Sequence, residues 1–299
     1  MDNAIYGQLN VFQTIAREGS ITAAARKLGI AAPSVSQSLK LLEGKMGVPL
    51  FLRTTRSLQL TQAGEALLAS TQNALQQIQL AVENVQQQGQ APSGKVRITL
   101  SRFAYQLLLA HRLGEFHARY PQIELDIALS DSLVNLIEDG FDLGVRFGNR
   151  IDEQMIARKI LPPFQEGLYV SAEYAAQFGL PQRVEDLAKH RLIGYRFITS
   201  NRIEPLTLTI DGQNTQIEMP VALMCNDPEV MADAVRNGLG IGRIFTANWA
   251  QFADRERFLP VLEKYWQNYP ALYLYYPQQS SQAKRIRAVV DFLLETPAA

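Results

Sequence analysis

Ser34, Ser36, Gln37 and Lys40 fall on one side of a segment whose Val35, Leu39 and Leu42 recur at helical spacing. Hydroxyl, amide and ammonium groups at that spacing can reach base edges and neutralise phosphates. A second polar group follows in Val48-Pro-Leu-Phe-Leu-Arg53-Thr54-Thr55-Arg56-Ser57-Leu58-Gln59-Leu60-Thr61, which reads as two short strands around a basic, hydroxyl-rich turn. Such a wing sets the guanidinium groups of Arg53 and Arg56 and the hydroxyl of Thr54 against phosphates or in a minor groove. With Thr22 and Pro33, these residues form the set expected to meet nucleic acid. A third group is Ser101, Arg102, Ser130, Ser132 and Asn226. These follow strand-like runs, where open α/β sheets hold ligands against helix N-termini. Hydroxyls beside Arg102 suit a small carboxylate, with Phe103, Phe147 and Phe197 as apolar walls. Caps that satisfy their own helices would account for the same residues.

Other signals lead nowhere. Gly238-Leu-Gly240-Ile-Gly242 is followed by Arg243 and comes after a helix, so it matches neither phosphate-loop nor dinucleotide patterns. A helix stop with a tight strand entry explains it. His111, His117 and His190 are scattered, without ligands at zinc spacing, so no metal or other cofactor is expected. No nucleophile–base set or carboxylate pair can be assembled, which argues against an enzyme. Cys225 is the single cysteine; it cannot form an intrachain disulfide and reads as a small buried hydrophobe.

The elements that must position these groups can be read from periodicity. Leu9, Phe12, Ile15 and Ala16 mark a first helix stopped by Gly19. A second runs from Thr22, placed as its N-cap, to Leu28, with Gly29 as terminator. Its Ala23, Ala24 and Ala25 allow another helix to approach closely. Pro33 sits near the start of a third helix reaching about Gly44. Two short helices around a tight turn form a helix-turn-helix, about residues 21–40. An ordinary helical hairpin has the same periodicity, and the wing tips the balance. From Gln62 to about Gln88 there is no proline; Leu68, Thr71, Leu75, Ile78, Val82 and Val85 step by alternating threes and fours. That is a coiled-coil register, on a helix on the order of 40 Å long. Leu68, Leu75, Ile78, Val82 and Val85 are therefore the expected dimerisation seam, unless the helix packs on its own body.

After the turn-rich Gln90-Ala-Pro-Ser-Gly94, strand and helix signals alternate. Strands are expected at 96–100, 123–129, 142–147, 221–225, 241–245 and 272–276. Helices are expected at 103–119, after Ser132, after Asp227 and at 281–294. This is an α/β pattern with mostly parallel sheets. The 299 residues are 47% hydrophobic and 19% charged, ordinary globular composition with room for two or three cores. The net charge is zero, yet residues 1–61 carry seven Lys and Arg against three Asp and Glu. A basic head on an acidic body fits a polyanion-binding module. The lone cysteine, the absence of a membrane-length apolar run and the lack of a leader pattern point to the cytoplasm and to no membrane partner.

The first sixty-five residues closely resemble the LysR-type regulators. The matching stretches are Phe12 to Ser20, Thr22-Ala-Ala-Ala-Arg-Lys-Leu28, Pro33-Ser-Val-Ser36 and Leu42-Glu43, then Gly47-Val-Pro-Leu-Phe51, Arg53-Thr-Thr-Arg56, Leu60-Thr61 and Ala63-Gly-Glu65. Weaker landmarks follow in Gly140-Phe-Asp-Leu-Gly-Val-Arg-Phe-Gly148, Tyr169-Val-Ser-Ala-Glu-Tyr174 and Pro270 to Pro277. The resemblance implies a winged helix-turn-helix (1–61), a linking dimerisation helix (62–90) and an effector domain (91–299) similar to periplasmic binding proteins. The implied lobes are 91–161 with 267–299, and 162–266. It also implies a homodimer or homotetramer on promoter DNA, RNA polymerase as a further partner, and a small-molecule effector in the cleft. Ala31, Ala32 and Gln37 depart from the Ser or Thr, Gln, and Arg or His expected there, so base preference does not carry over. A solute-binding or enzymatic α/β protein with a dimerising head is the competing reading.

Overall fold

The computed structural model describes residues 4–53, 58–86, 91–131, 134–148, 155–198, 200–278, 280 and 283–295. The chain divides into two compact units, Met1–Gln88 and Gly89–Ala299.

The first unit contains α1 (Ile5–Glu18), α2 (Ile21–Leu28), α3 (Ala32–Met46), β1 (Phe51–Arg53), β2 (Leu58–Leu60) and α4 (Gln62–Gln86). Ala24 and Ala25 are buried and let α2 lie close to its neighbours around Phe12, Ile15, Val35, Leu39 and Leu42. Burying a ring such as Phe12 contributes up to about 3 kcal/mol. That ring packs at 5.5 Å from Phe51, which ties the wing to α1. The start of α2 differs from expectation. Ser20 is the N-cap, its side chain accepting from Ala23 N at 3.1 Å, while Thr22 is exposed in the first turn. Gly29 ends α2 at φ 67°, a left-handed conformation that costs glycine little. Ala31 begins α3 without a side-chain cap, and the helix continues to Met46 rather than Gly44.

The antiparallel wing pairs Phe51 with Leu60 and Arg53 with Leu58. Glu43 Oε1 accepts from Leu50 N at 2.8 Å, and Thr61 Oγ1 donates to Pro49 O at 2.8 Å. Wing and α4 meet so closely at Gly64 that a Cβ there would lie 2.2 Å from Leu50 O. Along α4 the apolar seam changes character. Leu68 packs on the head core and Thr71 Oγ1 accepts from Gln13 Nε2 at 3.2 Å. Leu75 is half-buried, whereas Ile78, Val82 and Val85 are 48%, 50% and 72% exposed.

The second unit begins with β3 (Gly94–Leu100), α5 (Arg102–Tyr105), a π turn over Gln106–Ala110, α6 (Leu113–Arg119), β4 (Ile123–Leu129), β5 (Leu143–Phe147) and β6 (Met155–Leu161). It continues through β7 (Phe164–Ser171), α7 (Ala172–Phe178), β8 (Leu192–Arg196), β9 (Ile203–Glu204), β10 (Leu206–Ile210), β11 (Gln213–Ile217) and β12 (Val221–Cys225). The last elements are α8 (Pro228–Arg236), β13 (Gly242–Phe245), α9 (Thr246–Trp249), β14 (Phe258–Val261), β15 (Gln267–Tyr269), β16 (Leu272–Pro277) and α10 (Lys284–Leu294).

One lobe is built on a five-stranded sheet in the order β4-β3-β5-β16-β6. Its β3 runs parallel to β4 and β5, and its β16 antiparallel to β5 and β6. The other lobe holds β13, β14 and β15 antiparallel to β7, the β12-β8-β9 sheet and the β10-β11 hairpin. The sheets are therefore mixed rather than mostly parallel, because strands returning from the second lobe must run against those that left. β15 belongs to the second lobe through β7, so the return crossover falls after Tyr269.

The single helix expected over 103–119 is broken. Leu107, Leu108 and Leu109 are consecutive and all buried, which leaves the segment no polar face, and the chain widens there into the π turn. No helix forms over 134–140 either. Asn135 Oδ1 accepts from the backbone of Ile137 and Glu138, at 3.2 and 3.4 Å, holding a turn that competes with a helix. No helix among the described residues is long and apolar enough to cross a membrane.

Candidate functional site

Two sites follow from this architecture, one in each unit. On the head, Pro33, Ser34, Gln37 and Lys40 are exposed and Ser36 half-exposed on α3, while Val35, Leu39 and Leu42 turn into the core. The helix thus presents one polar face at its N-terminal end, where groove-reading helices make base contacts. Thr22 is exposed with Arg26 and Lys27 on α2. Thr54 and Arg56 lie outside the described residues, as does the side chain of Arg53.

The second unit holds a cavity of about 280 Å³, open to solvent and lined from both lobes. Ser101, Arg102, Phe147 and Phe197 line it. Ser130 and Asn226 do not: Ser130 N donates to Leu100 O at the end of β3, and Asn226 is exposed beyond β12. Ser132 lies outside the described residues. The Ser101 side chain also caps α5, accepting from Ala104 N at 3.4 Å.

Several hydrogen bonds close the lobes over the cavity. Tyr195 OH donates to Asp131 Oδ2 at 2.8 Å, and Arg102 Nε donates to Asp227 Oδ2 at 3.0 Å. Asn248 Nδ2 donates to Phe103 O at 3.2 Å, and Gln251 Nε2 to Leu107 O at 3.3 Å. Gln106 is bonded to Glu229. Burial and the neighbouring Asp131 carboxylate push the Tyr195 phenol well above its ordinary range, so it serves as a neutral donor.

The cavity floor holds charge in an apolar setting. Arg243 on β13 lies 3.8 Å from Glu166 on β7 and 3.4 Å from Glu204 on β9, and it donates to Pro205 O at 2.9 Å. Burial pushes the Glu166 carboxyl up to about 6, against the opposing pull of Arg243 and with the help of Glu204. Burial opposes charge on Arg243, but the two carboxylates outweigh it and hold the guanidinium protonated. Arg146 is fixed from β5, donating to Val145 O at 2.7 Å and to Thr99 Oγ1 at 3.1 Å. Aromatic rings form the walls. Phe103 and Phe147 stack with centroids 5.6 Å apart, Phe245 lies 4.7 Å from Phe103, and Tyr269 lies 4.9 Å from Phe245.

Sequence reading missed Arg146, Glu166, Tyr195, Glu204, Arg243 and Asn248. The usable signal was a charge set inside an apolar strand, as in Leu-Gly-Val-Arg146-Phe and Gly-Arg243-Ile-Phe. Such a charge is costly unless paired or used. Cys225 is buried, its thiol donating to Gly194 O at 3.5 Å, and burial raises its pKa.

A head with a polar helix face and a cavity between two lobes in one chain fit a class, the transcription regulators that answer to a small molecule. Residues 6–65 match the bacterial regulatory helix-turn-helix protein, lysR family, and residues 89–298 match the LysR substrate binding domain. The chain is 32% identical to a helix-turn-helix-type transcriptional repressor of Pseudomonas aeruginosa, over 95% of this chain and 89% of that protein. It is 30% identical to the uncharacterized regulator YcaN of Escherichia coli, over 94% and 92%. Its fold is similar to CrgA, a LysR-type transcriptional regulator from Neisseria meningitidis, with a TM-score of 0.61, 27% identity and 97% of each chain covered. The chain belongs to the LysR family of transcription regulators: it binds DNA through its head and carries an effector-binding domain.

Proposed function

We propose that the cavity between the lobes is the effector site, and that its occupancy sets how two paired heads sit on DNA. The carrying observation is that the bonds closing the cavity cross from lobe to lobe, Tyr195 to Asp131 and Arg102 to Asp227. Anything that fills the cavity must work with or against those bonds, so binding has a differential contact with open and closed lobes. Exposed Ile78, Val82 and Val85 on α4 support pairing of two copies. On this reading the partners are operator DNA, a second copy of the chain as dimer or tetramer, and RNA polymerase, within the cytoplasm. The cavity binds and releases its ligand without a chemical step.

The test uses a DNA site selected in vitro by the full chain, followed by footprinting and bend-angle measurement for the wild type and Tyr195→Phe. The variant should keep affinity for the site but alter the protected length or the bend. Identical footprints and bend angles would count against coupling between the lobes and the heads.

A further inference from the structure

We infer that the effector is an uncharged, planar aromatic compound; this rests on the cavity being the effector site. Three observations converge on that class.

The first is size. A cavity of about 150 Å³ accommodates benzene, so about 280 Å³ admits one substituted ring or two fused rings. The second is shape. Phe103, Phe147, Phe245 and Tyr269 supply ring faces and edges to one side of the space, and Phe197 closes against Tyr195 in a T-shaped contact at 5.6 Å. Aromatic rings favour a flat π-surface over a saturated ring of equal area.

The third is charge. Among the described lining residues there are three guanidinium groups and four carboxyl groups. The cations are engaged: Arg102 with Asp227, Arg243 with Glu166 and Glu204, and Arg146 with Thr99 and Val145. A carboxylate ligand would have to shed its water to enter a lining already richer in carboxyls than in cations. An uncharged ligand incurs no such penalty.

The experiment is calorimetric titration of the full-length protein with benzamide and 2-quinolone, against benzoate and cyclohexanecarboxamide. Benzoate keeps the shape of benzamide but adds charge; cyclohexanecarboxamide keeps the amide but loses the ring. Benzamide should bind at least about tenfold more tightly than either control, and 2-quinolone more tightly still. Phe147→Leu and Phe245→Leu should each weaken benzamide binding about tenfold, with circular dichroism confirming that each variant is folded; one folded variant suffices. The inference is overturned if benzoate matches or exceeds benzamide, if cyclohexanecarboxamide binds as well, if no probe binds, or if both folded variants keep wild-type affinity. The wild-type footprint and its response to Tyr195→Phe separate this outcome from failure of the effector-site reading. That response can stand while all four probes fail.

Discussion

Glu166 carries a carboxyl group into a place where burial works against its charge, and pH will reveal it. Its folded pKa of about 6 exceeds the ordinary 4.5, so between those values the folded chain holds a proton that the unfolded chain releases. Its contribution to stability is therefore present at low pH and lost as pH rises through about 6. His190 works in the opposite sense, because burial lowers its pKa, so its contribution is present above the ordinary 6.5 and is lost as pH falls below it. The two are separated by comparing the wild type with Glu166→Gln in thermal unfolding at pH 5 and pH 7. On acidification, the melting temperature of the wild type should rise relative to that of the variant; parallel shifts would show that Glu166 does not titrate in this window. Ser20 gives a second single-residue prediction. Ser20→Ala should destabilise the head by about 1 kcal/mol and Thr22→Ala by no more than about 0.5, measured by chemical denaturation. Both residues are good caps by type, and only the chain's entry angle decides between them. That angle comes from tertiary packing, which is why the choice was not legible from residue type. The same holds for the cavity. Arg102 and Phe147 were legible as strand-end residues, whereas Arg243 and Glu166 meet only because β7 and β13 pair in one register.

The long helix α4 divides into two parts. Its first turns are committed to the head through Leu68 and Thr71, while Ile78, Val82 and Val85 stand exposed. Pairing of two copies is thus expected to rest on the later turns. Val82→Asp with Val85→Asp should shift the protein toward monomer in sedimentation equilibrium, with the helical circular dichroism signal of the head retained. Leu68→Ala should instead lower the unfolding midpoint, by about 1–2 kcal/mol in stability for a half-buried leucine, without first changing the association state. Periodicity marked an apolar stripe, but it could not show that the chain packs the first part of that stripe on its own head. On the wing, Arg53→Ala with Arg56→Ala should weaken DNA binding across sequences alike. The slope of log affinity against log salt should fall by about two if both guanidinium groups meet phosphates. Helices were legible where caps and spacing agreed, as at α8. They were not legible at 103–119 or 134–140, where consecutive buried leucines and an Asn135 turn overrode local preference.

The chain as a whole joins a compact head with its helix to a larger two-lobed unit. Deleting residues 1–61 should abolish binding to the selected DNA site in gel-shift assays. The remainder should still titrate with cavity ligands, because every described residue lining the cavity lies beyond residue 100. The division into head and body was legible because composition changes at the Gln90–Gly94 stretch and the basic residues cluster before it. The mixed strand directions were not, since the return of β16 beside β5 depends on where two crossovers cut the chain.

The contacts that shut the lobes have a kinetic meaning. Arg102 is 45% exposed on its side chain and its partner Asp227 27%. Ion pairs in such settings contribute about 1 kcal/mol or less. Asp227 also keeps its Oδ1 on Glu229 N, so α8 stays capped when Arg102 lets go. That pair can therefore open without unravelling α8, while Tyr195–Asp131 and Asn248–Phe103 still span the lobes. Raising the salt concentration should loosen this one link first and leave the other bonds across the lobes in place, so a ligand held in the proposed effector site should leave faster as salt rises.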